Sequence, residues 1–201
     1  MAAADFNADG KLDLAVADGL GGQVAVLLGN GDATFQKRDP VSCPLVLFRS
    51  LAVGELNRDG KLDLAVVSGV GKSYGLYILL GDGDGTLQSA TGYPAGANPD
   101  KLTIADFNGD GYLDAAVVNP NGNSISVLLG NGDGTFQKPA TYPTGSYPTS
   151  VTVADFKGDG KLDLAAGDSS SDAVSVLLET AMGRFKSKPA SPPEPFLTLW
   201  Q

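Results

Sequence analysis

The run Asp106-Phe107-Asn108-Gly109-Asp110-Gly111-Tyr112-Leu113-Asp114 places oxygen-bearing side chains at its first, third, fifth and ninth positions. A glycine follows the fifth, and the seventh residue, Tyr112, offers a main-chain carbonyl. Ca²⁺ takes six to eight hard oxygens from carboxylates, amides and backbone carbonyls, and a tight loop that converges alternate residues supplies them. The first five positions follow EF-hand spacing, but the closing carboxylate stands at position nine and not at twelve. The competing reading of a single such run is an Asp/Asn/Gly turn between two strands, without metal.

The run occurs four times, starting at Asp5, Glu55, Asp106 and Asp155, at spacings of 50, 51 and 49 residues. In the first copy Asp5, Asn7, Asp9 and Asp13 supply side chains and Lys11 a carbonyl; in the second, Glu55, Asn57, Asp59 and Asp63 with Lys61. The third has Asp106, Asn108, Asp110 and Asp114 with Tyr112. The fourth keeps Asp155, Asp159 and Asp163 with Lys161, but Lys157 stands where the others have asparagine. An ammonium is no ligand and repels a cation. That loop is therefore expected to be a weaker site, with water in place of the amide or with Lys157 turned to solvent. Three crowded carboxylates without a counter-ion repel one another, which favours metal over a bare turn.

Each copy is followed by a second shared phrase: VLLGNGDATF from Val26, ILLGDGDGTL from Ile78, VLLGNGDGTF from Val127 and VLLETAMGRF from Val176. A fixed period of this length marks stacked or radial repeats. On these paired motifs the chain resembles the FG-GAP/VCBS family, the calcium-binding blades of integrin-α-type β-propellers and of many bacterial surface proteins. The resemblance covers nearly the whole chain. It implies calcium as cofactor, and a binding face on the loops opposite the calcium loops.

The elements needed to hold the loops are legible within one repeat. Val151–Ala154 leads into the fourth loop, Leu162–Ala166 leaves it, and Ala173–Leu178 follows a polar turn; a weaker strand lies around Phe185. Short apolar runs punctuated by Gly, Asn and Asp are the hairpin signature. No stretch sustains a helical period, so almost no helix is expected. The fold class is all-β, a β-propeller of four-stranded antiparallel blades. Residues 1–185 form it, as repeats of about 50 residues at 1–47, 48–98, 99–148 and 149–185. Residues 186–201 are a proline-rich tail, or close the ring by pairing Phe196–Trp200 near the first blade; relatives usually have seven or more blades. An open array that shares blades with a second copy is the other arrangement, so the chain is a monomer or a dimer.

Composition bounds the function. The net charge is −9, which argues against nucleic acid or an anionic membrane surface as partner. The four loops hold 12 of the 23 acidic residues, so most of the acidity belongs to them. There is no histidine, which removes His-based acid–base catalysis and most zinc or iron sites. The single cysteine, Cys43, sits in an apolar run and reads as a small core residue. No apolar run reaches membrane-span length, and Met1–Asp5 lacks the features of a signal peptide.

In an up-and-down blade the calcium loops and the glycine-rich turns share one end. The other end carries Tyr74, Tyr93, Asn98, Asn121, Asn123, Tyr142 and Tyr147, which read as a face for stacking on and hydrogen-bonding to a ligand. The expected activity is an extracellular module, displayed by a bacterium, that binds carbohydrate or a surface protein. The alternative is a calcium-dependent hydrolase of the propeller lactonase or esterase type, acting on a small ester or lactone through metal-activated water. Its catalytic residues are unassigned; Asp18, Asp168 and Asp172 are the acidic candidates for a base.

Overall fold

In a computed structural model, residues 1–18, 22–36, 40–42, 47–69 and 75–191 are described. Among them the chain forms four antiparallel sheets in sequence order and no α-helix; Pro120–Gly122 makes a 3₁₀ turn. The first sheet contains β1 (Ala2–Ala4), β2 (Asp13–Asp18), β3 (Gln23–Gly29), β4 (Phe35–Gln36) and β5 (Val41–Ser42). The second contains β6 (Phe48–Gly54), β7 (Asp63–Ser68), β8 (Gly75–Leu79) and β9 (Thr91–Tyr93). The third contains β10 (Lys101–Ala105), β11 (Asp114–Asn119), β12 (Ser124–Leu128) and β13 (Ala140–Pro143). The fourth contains β14 (Pro148–Ala154), β15 (Asp163–Asp168), β16 (Ala173–Ala181) and β17 (Arg184–Ser191).

Two features differ from the sequence expectation. The first sheet has five strands, because β4 and β5 pair with opposite ends of β3. The last strand, β17, extends the fourth sheet to Ser191, past the boundary at 185. Cys43 and the segment Phe196–Trp200 lie outside the described residues.

One aspartate fixes each hairpin. Asp13, Asp63, Asp114 and Asp163, the ninth loop residues, open the second strands and are fully buried. Asp114 accepts the N–H of Phe107 at 2.8 Å on one carboxylate oxygen and the N–H of Gly130 at 2.8 Å on the other. Asp13 does the same for Phe6 and Gly29, Asp63 for Leu56 and Gly81, and Asp163 for Phe156 and Glu179. Each carboxylate thus satisfies two main-chain donors that leave the strand ladder, as burial requires. It also draws the turn after the third strand against the loop. At Gly29 an added Cβ would lie 2.1 Å from the carbonyl oxygen of Leu12, and at Gly81 equally close to that of Leu62. Glycine there is dictated by the approach.

The sheets stack face to face in chain order. One core joins the first and second sheets through Phe6, Val24, Val26, Leu28, Leu64 and Leu79. Another joins the second and third through Leu56, Val67, Leu76, Ile78, Leu102 and Val117. A third joins the third and fourth through Phe107, Ile125, Val127, Leu164, Leu177 and Phe185. Strands β7, β8, β11 and β12 are accordingly buried on both faces, whereas burial alternates along β3 and β16. Among the described residues no core joins the first and fourth sheets.

Removing the Asp114 carboxylate leaves two buried N–H groups without acceptors. The expected cost of Asp114→Ala in urea unfolding is about 3 kcal/mol or more, since each unsatisfied buried donor costs ~1–3 kcal/mol. Asp133→Ala, which removes an exposed bond to Thr135, serves as the control and is expected to cost under about 1 kcal/mol.

Candidate metal centre

Each loop bridges the first two strands of its sheet, and asparagine and aspartate turns shape it. In the first, Asp5 Oδ1 accepts the N–H of Asp9 at 3.1 Å and Oδ2 that of Gly10 at 2.8 Å. Asn7 Oδ1 accepts the same Asp9 N–H at 3.2 Å, and Asp9 Oδ1 accepts from Lys11 at 2.9 Å. The third loop repeats this through Asp106, Asn108 and Asp110. In the second, Glu55 Oε1 reaches the Asp59 N–H at 3.0 Å, so the longer side chain performs the leading aspartate's task. Gly10, Gly60, Gly111 and Gly160 all adopt positive φ, which the sharp turn demands.

Among the described residues no three acidic side chains are gathered around a metal position as they stand. Their oxygens face main-chain N–H groups instead. The donor types nevertheless suit a hard cation: each of the first three loops offers three carboxylates, an amide and a main-chain carbonyl, and a carboxylate oxygen that accepts one N–H keeps a second lone pair.

Burial, and to a smaller extent neighbouring charge, acts on the ninth-position carboxyls of the second and third loops. Burial pushes the Asp114 carboxyl up to about 6, and the charges of Asp110 and Asp106 push the same way against the two N–H donors. Asp63 is raised for the same reasons, with Asp59 and Glu55 as its neighbours. The exposed Asp9 is instead lowered, chiefly by the Lys11 N–H.

The fourth loop differs. Lys157 does not turn to solvent; its ammonium lies 2.8 Å from Asp159 Oδ2 and 3.6 Å from Asp163 Oδ1 and donates to the Glu179 carbonyl at 2.7 Å. Asp159 is lowered and Lys157 raised by their contact. Lys161 pairs with the buried Glu179 carboxylate at 2.9 Å. Sequence reasoning excluded Lys157 as a ligand but did not find it as a counter-ion. The signal was its place at the third position, between carboxylates at the first and fifth.

The glycine-rich turns lie at the same end as the loops. Asp32 and Asp133 are held below the usual range, chiefly by the Thr34 and Thr135 hydroxyls, and close their own turns. At the opposite end the proposed ligand face divides. Tyr93 stands edge-on to Phe136 at 5.6 Å and Tyr142 edge-on to Phe185 at 5.5 Å, both packed against the cores between sheets. Tyr147 is 44% exposed beside the exposed Asn121 and Asn123, whose Oδ1 accepts the Tyr147 N–H. Asn98 is half-buried, and Tyr74 lies outside the described residues. Asp168 is buried, with Oδ2 accepting from Ser175 at 2.6 Å and from the Gly145 N–H at 3.2 Å; Asp172 and Asp18 are exposed. Asp163 and Asp168 bound one six-residue strand, which separates them by roughly 17 Å. A base at that end cannot reach water on a cation in the loop.

The FG-GAP-like repeat family matches residues 5–66, 55–117 and 106–166. Each matched segment opens on the leading carboxylate of one loop and ends in the strand after the next. A chain of the Photorhabdus luminescens Tc holotoxin pore is similar in structure over 97% of the present chain, at 18% identity and a TM-score of 0.49; the match spans 9% of that chain. No curated protein matches the sequence.

The Asp114 shift fixes a pH dependence. An acid whose folded pKa lies above its unfolded value takes up a proton on folding, so its protonated form stabilises the fold. That contribution is complete below about pH 4 and is lost as pH rises toward 6. In chelator, carboxyl NMR is expected to show Asp114 titrating near 6. The destabilisation caused by Asp114→Asn, measured between pH 4 and 7, is expected to vary with pH over the same window.

Proposed function

The chain belongs to the FG-GAP-like repeat family, and from that we propose that its sheets are blades of a calcium-stabilised β-propeller that binds carbohydrate or protein outside the cell. The observation that carries the calcium reading is Lys157. Where the sequence supplies a cation at the third loop position, it sits against the carboxylates of the fifth and ninth. The first three loops have asparagine at that position, which leaves the same place for a dication. Asp5, Asn7, Asp9 and Asp13 with the Lys11 carbonyl would hold one ion. Glu55, Asn57, Asp59 and Asp63 with Lys61 would hold a second, and Asp106, Asn108, Asp110 and Asp114 with Tyr112 a third. A bound dication supplies charge neutralisation and, by binding only the folded state, stability by mass action. Millimolar extracellular calcium suits loops of this openness.

The ligand surface in this reading centres on Tyr147, Asn121 and Asn123. Tyr147 offers an exposed ring on a backbone anchored by Asn123, and two amides stand within the same loop cluster. Binding by a rigid scaffold with loops at one end needs no moving part.

Calorimetry with Ca²⁺ on chelator-treated protein is expected to give three sites, together with a rise in melting temperature. Asp9→Ala is expected to remove one site, and Lys157→Asn to add a fourth. No heat and no thermal shift would overturn the calcium reading. On a glycan or protein array, Tyr147→Ala is expected to abolish binding at unchanged melting temperature. Tyr142→Ala, which empties a packed aromatic position, is expected to cost about 3 kcal/mol of stability.

A further inference from the structure

The two end sheets carry the halves of an interface that the chain makes three times inside itself. Toward the following sheet, each repeat uses the second loop residue and alternate residues of its third strand. Phe6, Leu56 and Phe107 are buried this way, as are Val24, Leu76 and Ile125. In the fourth sheet the matching residues are Phe156, 48% exposed, and Val174, 51% exposed. Toward the preceding sheet, each repeat uses the leucine before the ninth aspartate and the residue that follows the glycine turn. Leu62, Leu113 and Leu162 pack there, with Phe136 and Phe185 buried. In the first sheet these are Leu12, 68% exposed, and Phe35, 41% exposed. A recess of about 370 Å³ opens over Val174, Gly167 and Thr149 on the fourth sheet and is also lined by Asp168, Ser169 and Asp172.

We infer that the outer face of the fourth sheet docks on the outer face of the first sheet of a second copy of this chain. The occupant follows from continuity. The residues left exposed at one end have the register and apolar class that the other end's counterparts cover inside the chain, and none of Leu12, Phe35, Phe156 and Val174 is charged. The contact is heterologous, so each copy presents one face of each kind. It does not use the loop oxygens and stands apart from the calcium reading.

One residue makes this joint looser than the internal ones. A Cβ at Gly85, Gly134 or Gly183 would lie 2.6, 2.9 or 2.6 Å from Leu28, Leu80 or Leu129 of the preceding sheet. The first sheet has Ala33 at that position, with φ of 67°. Its methyl group meets Leu178 of the docking copy and turns that side chain aside. Association is therefore reversible and concentration-dependent.

The test is sedimentation equilibrium of the full chain over a wide concentration range. The mass is expected to rise to two copies or more, and Val174→Asp and Leu12→Asp are each expected to hold the chain as a monomer. Both substitutions are at exposed positions, and melting curves at high dilution check that the variants fold. An equimolar mixture of the two is expected to give a complex of two copies, because one intact face remains on each. Ala33→Gly is expected to tighten wild-type association several-fold. A chain monomeric at all concentrations, or an oligomer indifferent to both aspartates, would overturn the joint. So would a variant mixture that stays monomeric, since only complementary end faces allow rescue.

Discussion

The buried carboxylate at the ninth loop position is the constraint from which the repeat is built. It accepts one N–H from the start of its own loop and one from the end of the third strand, about 16 residues away in sequence. Those two bonds place the loop and the glycine-rich turn at the same end of the sheet. They also bring the turn so close to the loop carbonyl that three of the four repeats need glycine there. The fourth repeat has Glu179 at that position, and its third strand runs on to Ala181. The second strand of each sheet thus begins with a buried carboxyl group held by main-chain N–H groups.

A buried anion of that kind makes the outer loop sensitive to charge. Around Asp114 burial and the neighbouring aspartates raise its carboxyl, whereas beside Asp163 the Lys157 ammonium stands 3.6 Å away. The four loops therefore solve one electrostatic problem in different ways. In the first and second a lysine pairs with the fifth-position carboxylate, Lys11 with Asp9 at 3.4 Å and Lys61 with Asp59 at 3.7 Å, and in the fourth Lys157 reaches the buried ninth-position carboxylate as well. In the proposed function the first three depend on ambient calcium and the fourth does not.

Stacking follows from the same repetition. A sheet with apolar residues on both faces has to be covered twice, and the second and third sheets are. Among the described residues the first and fourth are covered on one face, and their outer faces are half-exposed. The aromatic pairs Tyr93–Phe136 and Tyr142–Phe185 sit where the fourth-strand edge of one sheet meets the next. They account for two of the tyrosines that would otherwise read as ligand-stacking groups.

The sequence by itself determined the repeat, the run of short antiparallel strands in each unit and the place of the acidic loop between the first two of them. All of these follow from local spacing: alternation sets the strand face, glycine sets the turn, and the intervals between Asp5, Glu55, Asp106 and Asp155 set the unit. What it left open was decided by contacts between residues far apart in the chain. That Asp13 and its counterparts serve the turn after the third strand depends on strand pairing, and that Lys157 points inward depends on Glu179, 22 residues on. Whether Tyr142 or Tyr147 faces solvent depends on the neighbouring sheet, because both are aromatic loop-edge residues next to proline. Local pattern encodes which face of a strand is apolar, but only the tertiary stack shows which of those faces has a neighbour.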